Sequence, residues 1–462
     1  MILIELFHSF ANCLFFTIIF IVFFHMLKNY KQVLKYFSDL QFSFEREDDA
    51  LFLDEDGLKV RYGGLERVKK TLSFLGNPEE SFKIIHVVGT AGKTSTSTII
   101  FSLLQREGEK VGLFTSPYLS SVTEMIRVND LFISESELIL ELNCLLPDIK
   151  KLKKHQGIFA LSFFELMFVL ALIYFQKKGV TYAVLEAGLG GKYDATNAIR
   201  KSEISVLTSI GEDHTEILGN VDNIIKDKAS ISEKSKKLIT AVTDLNLLNQ
   251  IQIVCNKTGS ELLTLNDNLA KQCGKLKPNA MPLSYFNNFI LALQAVHMLG
   301  FKTVLNRDDM DFKIPCRMEW IDKDRKILLD GSHNPDKINI LSQYIDSFRE
   351  KKIILLFSIF EDKDYESVLS ILLPKVEKVI FTSLKTGTRI SPHLNIFEKV
   401  GLRYLDKEQI TMEENNLRAY KIAKTLLDDK KILVITGSFT LAARIRELYW
   451  SLDKIHELRK LI

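Results

Sequence analysis

The sequence has few cysteines, no paired ones, almost no net charge and no internal repeat. Its 462 residues include only Cys13, Cys144, Cys255, Cys273 and Cys316. An odd count at wide spacing, with no C-x-x-C, excludes a disulfide framework and a cysteine-based zinc site. It fits a reducing compartment. Lys+Arg 61 against Asp+Glu 58 leaves a net charge of +3. Charges so nearly balanced give no electrostatic footprint for nucleic acid, and none is expected as a partner. No low-complexity segment is visible. With 46% hydrophobic and 26% charged residues, the composition excludes global disorder, a collagen-like chain and a polytopic membrane protein.

What is present begins with an apolar leader. Residues 6–27 contain no Asp, Glu, Lys or Arg, and Lys28 and Lys31 follow. That length suits a membrane-spanning helix, and the flanking lysines would leave the rest of the chain in the cytoplasm. Glu5 precedes the run and no A-x-A site follows it, against a cleaved signal peptide. Two readings stay open: a real anchor, or a segment outside the working protein, with Met26 as the start of an ordinary soluble sequence. Both put the catalytic part in the cytoplasm.

The remaining length suggests two or three domains at roughly 150 residues each. Residues 45–56, EREDDALFLDED, read as a solvated acidic loop. Apolar strand-like runs at 84–88, 111–114, 182–185, 204–208 and 238–242 then alternate with helical runs at 94–106 and 163–176. A helix at 287–299 closes this part. The pattern lapses around 300–311 and resumes with strands at 326–329, 352–357, 378–381 and 432–435 and helices at 337–348, 365–372, 417–427 and 441–450. Such alternation predicts an α/β protein with parallel sheets. The expected division is an apolar segment 1–27, a first domain 28–303 and a smaller α/β domain 304–462.

The strongest local signal is HVVGTAGKTSTS. A strand ends at Val88, Gly89, Thr90, Ala91, Gly92, Lys93, Thr94 and Ser95 follow, and a helix begins. Glycines let backbone N–H groups curl around phosphate oxygens, and the helix N-terminus adds partial positive charge. Lys93 would meet the β/γ-phosphates, and the Thr94 hydroxyl could reach Mg²⁺. The spacing is not the full G-x-x-x-x-G-K-[ST], since neither His86 nor Val87 is a glycine; the strand–loop–helix context carries the reading.

Further segments fit one pattern. RYGGLERVKKTLSFLGNP, FTSPYLSSVTEMIRVND, SFFE, LEAGLGGKYDATN, LTSIGEDHTEILG, IIKDKASI, PCRME, LLDGSHNP and ITGSFTLAARIRE occur in that order. With the phosphate loop, they resemble the signatures of the folylpolyglutamate synthase/dihydrofolate synthase family, within the Mur-ligase-like amide ligases. The resemblance runs from about Tyr62 to the C-terminus. It implies a P-loop-containing Mur-ligase-like domain with a parallel sheet, followed by a smaller Rossmann-like α/β domain. It also implies ATP-dependent joining of L-glutamate to dihydropteroate or reduced folates through an acyl phosphate. ATP and Mg²⁺ are the implied cofactors, and a monomer is expected.

Roles follow from the resemblance. Ser116, Glu186 and His214 would bind Mg²⁺; each alone also reads as an ordinary strand-end residue. Lys228 matches a lysine carbamylated to make a further metal-binding carboxylate, though its residues alone suggest a surface lysine. Arg317 and Asp330 match nucleotide contacts. Asn288 matches an asparagine near the adenine, with Asn287 leaving that register open by one. His333 matches a residue facing nucleotide and incoming glutamate. Lys93, His214, Lys228 and His333 are thus the catalytic candidates. Phe163, Phe164 and Glu165 would lie near the pterin-bearing substrate, although SFFELMFVLALIYF otherwise reads as a buried helix.

Departures are Ala91 for Asn, Tyr118 for His, Glu212 for an apolar residue, Cys316 for Gly, and Phe439-Thr440 where the family has Tyr after Gly-Ser. They bear on substrate preference more than on activity. Two other functions are carried. One is a peptidoglycan-type Mur ligase, whose UDP-binding domain the short stretch between Met26 and Gly89 does not accommodate. The other is a membrane-tethered nucleotide-binding protein without ligase activity.

Overall fold

The computed structural model describes residues 26–47, 51–53, 59–61, 64–156, 161–211, 220–277, 281–305, 310, 314–348, 350–387 and 389–449. Most of the apolar leader, Glu212 and His214 therefore lie outside the described residues. Among the described residues no helix is long and apolar enough to cross a membrane.

Eight strands build the larger sheet: β1 Lys83–Val88, β2 Val111–Phe114, β3 Ile126–Val128, β4 Leu131–Phe132, β5 Tyr182–Glu186, β6 Ile204–Leu207, β7 Lys237–Thr240 and β8 Glu261–Leu263. Their order is β8-β7-β6-β1-β5-β2-β3-β4. The β8-to-β2 part is parallel. The β2–β3 and β3–β4 pairs are antiparallel. The expected parallel sheet is present, extended at one edge by an antiparallel hairpin. The antiparallel hairpin was illegible because strands of three and two residues are too short to display a period.

The β1 sequence explains its place at the centre. Ile84 packs in one apolar cluster, and Ile85 and Val87 pack in another, on the alternate phase. A strand buried on both faces reads as a continuous apolar run. The helix Phe163–Lys178 lies in the first cluster with nearly every residue buried. Its all-round hydrophobicity fits that position. The helices Lys93–Arg106 and Leu283–Met298 meet in the second cluster.

The smaller sheet comprises β9 Glu319–Trp320, β10 Ile327–Leu329, β11 Lys352–Phe357, β12 Lys378–Phe381, β13 Ile410–Met412 and β14 Lys431–Thr436. Their order is β9-β10-β14-β11-β12-β13, with only β9 antiparallel. Its two faces also alternate: Ile353, Leu355 and Phe357 face one cluster, Ile354 and Leu356 the other.

The acidic stretch 45–56 is not one loop. Residues 45–47 end the helix Tyr30–Glu47, and Leu51–Leu53 pairs antiparallel with Lys59–Arg61. The apolar triplet Leu51-Phe52-Leu53, embedded among acids, supplies a strand that mean composition hides.

Candidate active site

β1 ends at Val88 in the middle of the sheet, where the strand order reverses, and such a switch point opens a crevice beyond the strand ends. The loop that follows needs two of its glycines. Gly89 has φ +148° and a Cβ there would lie 1.9 Å from Thr208 Oγ1. Gly92 has φ +84° and a Cβ there would lie 2.6 Å from Asn288 Oδ1. Only glycine combines that backbone with that close approach. The loop is fastened to the end of β6. Thr90 N donates to Ser209 O at 3.0 Å, Ala91 N donates to Ser209 Oγ at 2.9 Å, and Thr208 Oγ1 donates to Ala91 O at 2.6 Å. Lys93 Nζ donates to Gly89 O at 2.8 Å.

Glu186 closes β5 and is 1% exposed. Its Oε1 accepts from Thr94 Oγ1 at 2.8 Å, while its Oε2 is buried with no hydrogen-bond partner. Burial pushes the carboxyl up to about 7, against the pull of Lys93, Thr94, Arg317 and Ser116. A buried carboxylate oxygen without a partner, beside a hydroxyl, suits a hard cation with oxygen ligands. Glu186, Thr94 and Ser116 fit a divalent metal. Among the described residues no three His, Cys, Asp or Glu side chains are grouped so as to hold a metal ion.

A buried relay supports the turn after Glu186. His86 is fully buried in β1, its Nε2 2.8 Å from Thr196 Oγ1. The Thr196 hydroxyl donates to Asp194 Oδ1 at 2.5 Å, so it accepts from His86, and Leu189 N donates to Asp194 Oδ2 at 2.9 Å. His86 Nδ1 has no partner, and burial pushes the imidazole down to about 3.

The smaller sheet contributes the opposite wall. Arg317 lies in the turn before β9, its guanidinium carbon 3.9 Å from the Phe439 ring centre. Asp330 follows β10 with both carboxylate oxygens engaged, one by Met318 N at 3.0 Å and one by Ser332 N at 2.9 Å. His333 Nδ1 donates to Gly331 O at 2.9 Å, which leaves Nε2 as the acceptor. Burial first, then Lys337, pushes its pKa down, so the ring is neutral.

A cavity of about 830 Å³ joins the two walls. Thr90, Ala91, Gly92, Lys93, Thr94 and Ser95 line it from the loop, and Ser116 and Glu186 from neighbouring strand ends. Asn287 and Asn288 both reach it, so the register left open by one is shared, with Asn288 the residue packed on Gly92. Arg317, Asp330 and His333 complete it. Gly89 is not among the lining residues. Lys228 does not line it and is 3% exposed, buried rather than on the surface. It sits behind the glycine turn after Glu186, where a Cβ on Gly191 would lie 2.9 Å from Lys228 Cα.

Phe163, Phe164 and Glu165 also stay out of the cavity lining. Tyr118 lines it and meets Phe163 edge-on, ring centres 6.3 Å apart, while Phe164 packs on Phe114 at 5.6 Å. The Glu165 carboxylate accepts from Ser162 N at 2.8 Å in a capping box and pairs with buried Arg67 at 3.0 Å. Sequence reading did not single out Thr208, Ser209 or Arg444 as cavity residues. The T-S run after β6 carried a motif signal, but nothing in it marked which hydroxyls hold the loop.

Residues 162–281 match the Mur ligase middle domain and residues 316–439 match the Mur ligase glutamate ligase domain. The chain is 27% identical over 421 residues to a dihydrofolate synthase/folylpolyglutamate synthase of Bacillus subtilis, covering 84% of this chain and 96% of that one. A folylpolyglutamate synthase structure from Thermotoga maritima superposes with a TM-score of 0.74 at 26% identity, over 93% of this chain and 99% of that one. The fold is shared with E. coli FolC in complex with DHPP and ADP, TM-score 0.75 at 23% identity, over 91% and 97% of the two chains. Two Mur ligase domains in sequence, together matching more than half of its residues, place this chain among the Mur ligases, and the relatives that it resembles over most of their length are folylpolyglutamate and dihydrofolate synthases.

Proposed function

We propose that the protein is an ATP-dependent ligase joining L-glutamate to a pterin-bearing acid: dihydropteroate, reduced folates already carrying glutamate, or both. The observation that carries this reading is the shared cavity. A phosphate loop with Lys93 and a buried, half-unpartnered Glu186 face Arg317 and a neutral His333 from the second sheet.

In the proposed reaction, the acid's carboxylate oxygen attacks the γ-phosphorus of ATP, ADP leaves, and an acyl phosphate forms. The glutamate amine then attacks the acyl carbon and displaces phosphate. Lys93 and Arg317 stabilise the negative charge on the phosphoryl oxygens. Asn288 orders the loop at Gly92 and lies on the adenine side. The Nε2 of His333 faces the incoming amine as an acceptor. Glu186, Thr94 and Ser116 would hold Mg²⁺, which supplies charge neutralisation at the phosphates. His214 joins that set by resemblance alone, as does a carbamylated Lys228. Phe163 backs the pterin side through Tyr118, Phe164 does so from its seat on Phe114, and Glu165 acts by fixing the helix start. A cavity between two walls excludes water from the acyl phosphate when it closes. The protein works as a cytoplasmic monomer on small molecules.

An acid labelled with ¹⁸O in its carboxylate tests the pathway. One labelled oxygen should appear in the released phosphate. Unlabelled phosphate formed alongside amide product would contradict the acyl phosphate.

A further inference from the structure

Arg317 is held in an unusual way. Among the described residues its guanidinium makes no hydrogen bond and no ion pair; its close side-chain contact is the Phe439 ring at 3.9 Å. Stacking uses the face of the guanidinium and leaves all five in-plane N–H donors unspent.

The backbone is fixed just as deliberately. Arg317 stands between two non-glycine residues in the left-handed region, Cys316 at φ +53° and Met318 at φ +47°. Such a residue is strained and persists only where neighbours over-determine it. Here Cys316 N donates to Glu319 Oε2 at 2.8 Å, Gly331 N donates to Cys316 O at 2.8 Å, and Met318 N donates to Asp330. Glu319 is itself locked by Arg446 Nε at 2.9 Å.

Phe439 has a fixed seat too. It is the first residue of the helix Phe439–Arg446, capped by Ser438, directly after β14 and Gly437. Its ring lies so close to Gly331 that a Cβ there would be 2.3 Å away. The glycine of D-G-S-H-N-P thus makes room for the ring that carries Arg317.

We propose that Phe439 is a positioning residue: its ring presents the Arg317 guanidinium edge-first to the phosphoryl group of the nucleotide. The inference rests on the ligase reading above. The role belongs to residue 439 itself, and Thr440 beside it has no aromatic face to offer.

The test is a double-mutant cycle on the full chain with Phe439→Leu, Arg317→Ala, both together, and Phe439→Tyr as the conservative control. Affinity for AMPPNP with Mg²⁺ is measured by calorimetry, and kcat and KM by product formation. Phe439→Leu should lower kcat and weaken AMPPNP about tenfold, the scale of a desolvated stacking contact. KM for the pterin acid should not change, whereas general loosening of the site would raise it. Phe439→Tyr should stay within about twofold of wild type, because the face is kept. In the Arg317→Ala background, Phe439→Leu should cost nothing further. Should Phe439→Leu melt below the assay temperature, Phe439→Met carries the same comparison. Wild-type affinity and kcat in the Leu variant, or losses that add in full, would overturn the inference alone. Wild-type protein that binds no AMPPNP would overturn the ligase reading and this inference with it.

Discussion

Thr94 Oγ1 donates to Glu186 Oε1 at 2.8 Å, tying the first turn after the phosphate loop to the end of β5. The bond leaves the other carboxylate oxygen buried and without a partner. Such an atom destabilises the ligand-free protein and favours a cation. Glu186→Gln keeps the Thr94 bond and removes the charge. The ligand-free variant should melt about 1 °C higher, the shift expected for about 1 kcal/mol in a chain of this size. The further rise that Mg²⁺ and ADP give the wild type should disappear. Differential scanning calorimetry with and without Mg²⁺-ADP checks both.

Lys93 rests on the loop carbonyl of Gly89, with no partner in the apolar core. Its removal should therefore spare the fold and cost the chemistry. Lys93→Ala should lower kcat by at least about a thousandfold, as expected for loss of a cation at a transferred phosphoryl group. Near-normal turnover in a variant folded by circular dichroism would refute the role.

Arg446 and Glu319 form an ion pair with side chains 13% and 10% exposed. Removing one partner leaves a largely buried charge. Arg446→Met should cost about 2–4 kcal/mol of stability. Arg446→Met/Glu319→Gln should recover more than half of it, because the Gln oxygen still accepts from Cys316 N. Urea unfolding of the three proteins measures the difference.

His86 gives a pH dependence of fixed sign. Its folded pKa is about 3, below the unfolded 6.5, so the unfolded chain binds the extra proton between these values. The stability it supplies is complete above pH 6.5 and lost as pH falls toward 3, at about 1.4 kcal/mol per unit. Protonation would put a charged N–H at the partnerless Nδ1. His86→Asn should flatten the slope of unfolding free energy between pH 6.5 and 5 by about one proton.

Much of this architecture is legible in the sequence. Runs such as 111–114, 352–357 and 378–381 coincide with strands because they are buried on both faces, and 365–372 coincides with a helix. Short edge strands such as Leu131–Phe132 have no period to read. The phosphate loop was legible because its glycines answer to backbone geometry. The ion pair of Glu165, the buried Lys228 and the aromatic seat of Arg317 were not, because each depends on a partner distant in sequence: Arg67, the Gly191 turn and Phe439.

Ligase activity is read most directly from phosphate release by the full chain with ATP, Mg²⁺ and L-glutamate, offered dihydropteroate or tetrahydrofolate separately, with products identified by mass. Phosphate release should require both glutamate and the acid, and the product should be heavier by one glutamyl residue. A folded protein that binds ATP yet releases no glutamate-dependent phosphate with either acid would contradict the ligase reading.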